Sequence, residues 1–484
     1  MSVSVSIVPR NLELFRKLTQ KKIAVGFIRV PDLSESSSPM QAKIVQLRDI
    51  TDSRRHVIVN FDMEGRLISA ELGREFLGNE VKILERSFDG EFYIYWKNCE
   101  NLRPGHEGVY YYYDYYNEGV FKNSQTAEIL VRCITALLED ISKRGYEASN
   151  DIKFTELRIV EDQLDTSINI AKISQDLLEI FENARVKYNW EGLLKQRVSL
   201  KKIYPTPVSV IPPEVRPDRN PIFAVIQITQ GCWIQDTRGP CRFCNSYRGI
   251  PYREKGIDEL IDHIKKVKEF TGKGWNQVKK LFLSDADPLH TKIDSEVYLK
   301  TLAKEIPEAV WYEAFVSTPT ILSKSESQWS NLKALGLKRL YWGVESADDE
   351  TLKLLGKPQT KEKLYEAAYR LKDAGISLAI IVLSGVGALT PNRTEAEVVS
   401  NLHIQETAKF IKDVGCSIVY VSKLVPQPGT EIFDLMQSGK LKPLSPSELE
   451  KQHRAMIKMI KMFCNSCEVR GAYGVQFVCP YHPS

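Results

Sequence analysis

The chain has 484 residues, 43% hydrophobic and 26% charged, with a formal net charge of +4. This is an ordinary globular balance with room for about three average domains, or one barrel and an extra domain. So small a net charge does not argue for a nucleic-acid partner by itself. No apolar run reaches the length of a membrane span, and the opening MSVSVSIVPRNLELFRKL does not read as a signal peptide.

Residues 1–204 read as an α+β domain without metal-ligand spacing. DLSESSSPM (32–40) is a loop by composition. The runs 56–61 and 66–72 alternate as strands around a turn at Asp62–Gly65, and 91–96 continues the pattern. From Thr126 the apolar period becomes helical, and again over 173–184. The tyrosine run at 110–116 reads as a two-sided aromatic hairpin, half of whose rings can offer stacking surface.

A proline-rich linker at 205–221 precedes a different rhythm. From 221 to 426, six strand-like runs alternate with amphipathic segments at 258–270, 294–305, 325–335, 348–355, 361–374 and 396–414. This is a parallel α/β unit whose strand C-termini collect the functional loops. Beyond it, SPSELEKQHRAMIKMIKM begins with a capping box at Ser445 and Glu448 and Pro446 in the first turn. That helix has a basic side, which usually marks a solvated face over a core.

Nine cysteines, six of them in two tight clusters, point to metal binding in a reducing, cytoplasmic setting. Cys232, Cys241 and Cys244 have the spacing C-x8-C-x2-C directly after the run PIFAVIQITQ. A structural zinc ion takes four protein ligands. Three thiolates without a nearby fourth Cys or His therefore point to an iron–sulfur cluster with one iron open. Cys99, Cys133 and Cys416 read as isolated packing thiols.

The cysteine loop, followed by Tyr252-Arg253, resembles the radical S-adenosylmethionine (SAM) superfamily. The loop is five residues longer than that family's commonest spacing. Long loops of this kind occur in the elongator catalytic subunit and in archaeosine-forming enzymes, both acting on tRNA. The resemblance implies a partial (β/α)6 barrel over 205–440, flanked by the α+β domain 1–204 and a short Cys-containing extension, 441–484. It implies a [4Fe-4S] cluster on Cys232, Cys241 and Cys244, whose open iron binds SAM, cleaves it reductively and so abstracts a hydrogen atom from a substrate. A one-electron donor of ferredoxin or flavodoxin type would supply it. SAM contacts fall by resemblance at strand ends: Asp285 and Asp287 in Ser284-Asp285-Ala286-Asp287, Gly343, Glu345 and Ser346 in GVES, and Gly385 and Gly387 in SGVGAL. LVPQPGTEIFD (424–434) resembles the family's nucleoside-side segment, and Arg253 is a further contact. His290 lies close enough to face the site, and Arg248 to neutralise the cluster. No cobalamin-binding signature is present.

Cys464, Cys467, Cys479 and His482 form C-x2-C-x11-C-x2-H, the spacing of a zinc knuckle and equally of an auxiliary [4Fe-4S] cluster. The substrate classes left open are tRNA, a peptide or protein, and a small molecule or lipid. The contrasting reading is a zinc-dependent nucleic-acid-binding protein with structural cysteine sites. Iron and sulfide against zinc would separate the two.

Overall fold

The computed structural model describes residues 23–31, 41–49, 57–72, 80–86, 92–98, 128, 131–139, 142, 152–154, 158–160, 163–165, 175–205, 211–212, 215–217, 220–386, 393–424, 426, 428–464 and 466–471. The tyrosine run, Cys99, Gly387, Cys479 and His482 lie outside them. The chain divides into two compact units, one drawing on 1–205, 211–224 and 266–278, the other on 206–210, 225–265 and 279–484. No helix among the described residues is long and apolar enough to cross a membrane.

The first unit holds a sheet of β1 (Ile23–Pro31), β2 (Gln41–Asp49), β3 (Val57–Phe61), β4 (Leu67–Leu72), β5 (Glu80–Arg86), β6 (Phe92–Asn98) and β7 (Ile152–Phe154), in the order β6-β5-β4-β3-β2-β1-β7. It is an antiparallel meander, except that β7 joins β1 in parallel, and a separate antiparallel pair is formed by β8 (Arg158–Val160) and β9 (Gln163–Asp165). Val45, Leu47, Val59, Phe61 and Ala70 are buried. A polar ladder also crosses the strands, Gln46 donating to Asn60 at 2.9 Å and Asn60 to Ser69 at 3.0 Å. The turn between β3 and β4 closes on Asp62, whose Oδ1 accepts from the amides of Glu64 (3.0 Å) and Arg66 (2.9 Å). Residues 131–139, α1 (Gln175–Glu182) and α2 (Trp190–Ile203) are helical.

The second unit is α/β, and its architecture is the partial barrel expected. In chain order it runs β10 (Phe223–Gln227), β11 (Thr229–Gln230), α3 (Trp233–Arg238), β12 (Arg253–Glu254), α4 (Ile257–Thr271), β13 (Lys280–Ser284) and α5 (Ser295–Glu305). There follow β14 (Trp311–Val316), α6 (Thr318–Ser323), α7 (Glu326–Ala334), β15 (Leu337–Glu345), α8 (Asp349–Leu355), α9 (Lys361–Asp373) and β16 (Ser377–Ser384). The series closes with α10 (Arg393–Val414), β17 (Ile418–Lys423), α11 (Glu431–Gln437), α12 (Pro446–Phe463) and β18 (Glu468–Gly471). The main sheet is ordered β10-β13-β14-β15-β16-β17-β18 and is parallel from β13 onward. Its strands are near-continuous apolar runs, as expected of a parallel sheet buried on both faces; every residue of β10 and β13 is buried.

Two features go beyond the six-strand series read from the sequence. The segment after 441 supplies a seventh strand, β18, paired from Ile418↔Glu468 to Val421↔Gly471. The eight residues between Cys232 and Cys241 contain a helix of their own, α3. The start of α12 agrees with the cap read from sequence, Ser445 and Glu448 closing its capping box, and the structure adds a second box at α7, formed by Ser325 and Gln328.

Within β14 and β15, cross-strand partners Glu313 and Arg339 form an ion pair of 3.4 Å with both side chains buried. Trp311 Nε1 donates to Glu313 at 2.7 Å. A buried charge left without its partner is expensive, whereas removing both can be nearly neutral. Arg339→Met is expected to lower unfolding stability by about 3–5 kcal/mol in urea titrations. Arg339→Met with Glu313→Met should recover most of that loss.

Candidate active site

Cys232 follows the short strand β11 and caps α3. The residue before it, Gly231, has φ +74°, and a Cβ there would lie 2.8 Å from the Ile250 carbonyl oxygen and 2.9 Å from that of Pro251. Only glycine fits that turn. α3 then carries the chain to Gly239, and a turn with Cys244 N donating to Cys241 O (3.0 Å) sets the remaining two cysteines. Two backbone hydrogen bonds hold this loop over the strand ends: Arg242 N to Leu355 O at 2.9 Å, and Ile432 N to Arg242 O at 3.0 Å. Arg248 Nε donates to the Cys244 carbonyl at 3.1 Å.

All three cysteines line one cavity of about 250 Å³. Burial pushes the Cys232 thiol up to about 12 and that of Cys241 to about 11, and the neighbouring cysteines push the same way. Such thiols stay protonated in water but are deprotonated by a bound metal centre. Among the described residues no three His, Cys, Asp or Glu side chains are set to hold a single ion. The three thiols therefore open onto a shared space, as a cluster that ligates each through a different iron requires.

The two acidic residues after β13 divide their work. Asp285 is buried and turned toward the cysteine strand, accepting from Gln227 Nε2 (3.1 Å to each oxygen) and from Gly231 N (3.3 Å). It thus braces the turn that presents Cys232. Asp287 lines the cavity. Its Oδ2 accepts from Trp233 Nε1 (2.9 Å), Ser317 Oγ (2.5 Å) and Thr320 Oγ1 (2.6 Å), while its buried Oδ1 has no hydrogen-bond partner. Burial raises its pKa against those three donors. His290 does not line the cavity; it stacks on Trp233 with ring centroids 3.8 Å apart.

At the end of β15, Glu345 takes the left-handed region, φ +64°, in a side chain that is not glycine. The register against β16 breaks between Gly343 and Glu345. This twist turns the carboxylate into the cavity, where it meets Lys357 at 3.4 Å. Both are buried. Burial pushes Glu345 up, and the lysine pulls it back. Burial opposes the charge of Lys357, but Glu345, Cys241 and Cys244 raise it on balance. Gly343 makes room for the pair: a Cβ there would lie 2.7 Å from Glu345 Oε1 and 3.4 Å from Lys357 Nζ. Lys357 was not singled out in the sequence, because a lysine after a helix reads as surface. Its position two residues before Gln359, whose Nε2 donates to Val344 O at 2.8 Å, folds it back onto the strand end.

The other expected contacts are placed elsewhere. Ser346 is buried with its hydroxyl on His403 Nδ1 (2.8 Å), and it is not among the residues lining the cavity. Gly385, at φ +89°, packs against Leu449. Arg253 reaches Gln230 Oε1 (2.9 Å) and Glu259 Oε2 (2.9 Å). At the end of β17, Lys423 lines the cavity and pairs with Glu450 at 2.6 Å. Cys464 and Cys467 lie far from this space: they are joined as a disulfide, and Cys416 is next to them, its Sγ 3.4 Å from that of Cys467. Cys416 is thus not the isolated thiol that its position in the sequence suggested.

A parallel α/β sheet whose strand ends gather three thiols, a buried acid–base pair and an incompletely bonded Asp defines an enzyme-like cofactor pocket, and the residues present fit a thiolate-held cluster with an amino-acid ligand. Residues 226–403 match the family model of the radical SAM superfamily, and the chain carries a domain of that superfamily. It is 23% identical over 222 residues to an uncharacterised methyltransferase of Pyrococcus horikoshii, covering 45% of this chain and 43% of the relative. It is 22% identical over 227 residues to heme chaperone HemW of Bacillus subtilis, covering 45% and 56%. The chain thus spans about half the length of these curated relatives. Among solved structures, the coproporphyrinogen III oxidase HemN of Escherichia coli aligns at TM-score 0.37 and 16% identity, covering 55% of this chain and 61% of that one. The methyltransferase TsrM of Kitasatospora setae aligns at 0.35 and 13%, covering 45% and 39%.

Gly231→Ala forces a Cβ against two backbone carbonyls at a positive φ. The turn presenting Cys232 must then shift, and iron retained after anaerobic reconstitution is expected to fall well below the wild-type content. Gly239→Ala is the control: it has a similar φ, +84°, but open space around it. It should keep its iron.

Proposed function

We propose that this protein is a radical SAM enzyme that cleaves S-adenosylmethionine reductively and abstracts a hydrogen atom from a substrate. The carrying observation is that Cys232, Cys241 and Cys244 line one cavity together with Asp287, Glu345 and Lys357. The three cysteines would hold a [4Fe-4S] cluster. When bound, the cluster and SAM supply the one-electron chemistry. Glu345 and Lys357 offer one charge of each sign in a dry site, which complements the ammonium and carboxylate of an amino-acid group. Asp287 Oδ1 is a second acceptor for the ammonium. Gly343 keeps the wall open to the pair, and the apolar lining of Ile234, Phe243, Phe315 and Leu424 excludes water from the reacting centre.

Electrons would come from a ferredoxin- or flavodoxin-type donor. The two curated relatives carry names from different activities, a methyltransferase and a heme chaperone, so the proposal rests at the reaction class. Of the substrate classes, tRNA draws on the long cysteine loop. The expected contacts at Arg253, Ser346, Gly385 and Gly387 remain proposals of the resemblance, as does a second metal centre drawing on Cys464, Cys467, Cys479 and His482.

Anaerobically reconstituted protein supplied with a strong reductant is expected to convert SAM to 5′-deoxyadenosine, followed by chromatography. Alanine at Cys232, Cys241 or Cys244 should abolish this, since two thiolates do not hold a cluster open at one iron. Full turnover by any one variant would overturn the assignment, and a colourless protein holding zinc in place of iron would favour the binding-protein reading.

Glu345→Ala is expected to leave iron content intact and weaken SAM binding by about 1.5–3 kcal/mol, the usual worth of a charged hydrogen bond. Equilibrium binding to the cluster-loaded variant measures it. Unchanged affinity would remove Glu345 from the SAM site.

A further inference from the structure

The cavity wall holds a second polar atom without a partner, away from the charged pair. Ser422, near the end of β17, is 4% exposed and lines the cavity, and its hydroxyl has no hydrogen-bond partner. Ser384 does not serve it, because the Ser384 hydroxyl donates to the Ser422 carbonyl at 3.2 Å. A buried hydroxyl left unpaired is costly, so its place in the wall calls for a ligand that completes it.

Strand register places this hydroxyl relative to the rest of the site. Glu345 is level with Val382, and Val382 with Val421. Ser422 therefore stands within one residue of the level of Glu345 but two strands away, about 10 Å along the sheet. An amino-acid group held by Glu345 and Lys357 does not reach it. Leu424, one residue past β17, belongs to an apolar cluster on which Phe243 of the cysteine loop packs. Ser422 is about 7 Å deeper along the chain, at about 3.3 Å per residue. A group on its hydroxyl thus lies beneath whatever the cysteine loop holds.

The surroundings define what that group is. Leu383 is the cross-strand partner of Ser422, and Ile381, Phe315 and Tyr341 line the same cavity. Tyr341 gives its hydroxyl to Glu313 and leaves its ring to the wall. Lys423 is the next residue, but alternation along the strand sets it on the other face, and its ammonium is committed to Glu450 of α12 at 2.6 Å. The remaining charges among the described lining residues are Asp287, Glu345 and Lys357, all on the far side of the cavity from β17. A charged substituent beside Ser422 would be buried without a counter-ion, which is expensive.

We infer that Ser422 is a specificity-determining residue of the substrate pocket, and that the group it receives is uncharged, largely apolar and carries one hydrogen-bonding function of amide or carbonyl type. The inference rests on the radical SAM reading and deepens it by naming the chemical class of the group presented beneath the cluster. It excludes phosphate and carboxylate from this part of the cavity, and leaves them free to occur on portions of a substrate that stay outside.

The test uses the full chain with its cluster and SAM bound and no reductant. Phenylacetamide and phenylacetate are the probes, alike in shape and different in charge, with a ring that suits Phe315 and Tyr341. Equilibrium dialysis is expected to show the amide binding about tenfold more tightly than the carboxylate, or better, because only the carboxylate buries an unpaired charge. Ser422→Ala is expected to weaken amide binding about fivefold, the worth of one neutral hydrogen bond. The comparison of the two probes needs no variant, so a poorly folding substitution does not blunt the test. Equal binding of the probes, preference for the carboxylate or no binding of the amide would overturn the inference. So would amide binding that ignores Ser422→Ala, or a matching loss of SAM affinity in that variant, which would assign the hydroxyl to SAM. Dialysis involves no turnover, so a failure of the probes leaves SAM cleavage standing, and a failure of SAM cleavage leaves the probe result standing.

Discussion

Glu345 and Lys357 sit 3.4 Å apart in a buried wall of the cavity, and the site is arranged around that pair. Either charge alone would cost several kcal/mol to bury, since desolvation exceeds what a lone ion recovers. Together they are tolerated, at the expense of a left-handed backbone at Glu345, a break in the β15–β16 register and a glycine at 343. Lys357 also faces the thiols of Cys241 and Cys244. The cation therefore links the cysteine loop to the strand end electrostatically, in a place where water screens little.

The cysteine loop depends on tertiary hydrogen bonds for its position. A loop of this length has no reason to hold two sulfurs at one point unless something fixes its middle. Arg242 does so through its backbone, its amide donating to the Leu355 carbonyl on one side and its carbonyl accepting from Ile432 N on the other, while its side chain pairs with Glu431 at 3.4 Å. Asp285 fixes the other end of the loop through Gly231. Two acidic residues separated by Ala286 thus serve different ends: Asp285 braces the loop, and Asp287 keeps an oxygen without a partner in the wall of the cavity.

At the opposite end of the sheet the same parallel order has another consequence. β17 and β18 begin side by side, so residues far apart in sequence, Cys416 and Cys467, become neighbours. α12 arrives at the same place because its length carries Cys464 back across the sheet, with Met456 and Ile460 buried beneath it. The strand ends are where chemistry collects in such folds, and the strand starts are where chain segments are joined.

Much of this was legible beforehand. Apolar runs of strand length alternating with amphipathic helices specified a parallel α/β unit, because parallel strands need helical crossovers that pack on the sheet. A capping box at Ser445 and Glu448 marked the start of α12, since orphan amides need local acceptors. Spacing alone marked Cys232, Cys241 and Cys244 as a set. Four things were decided only by tertiary structure. Whether Asp285 or Asp287 faces the cavity depends on which direction the chain turns after β13. Lys357 becomes a buried partner only when α8 folds back on β15. β18 is a strand because an open sheet edge on β17 accepts it, and four residues carry too little periodicity to declare themselves. Cys416 joins Cys467 because two parallel strands start at one level. In each case local sequence sets what a residue can do, and long-range packing sets which neighbour it meets.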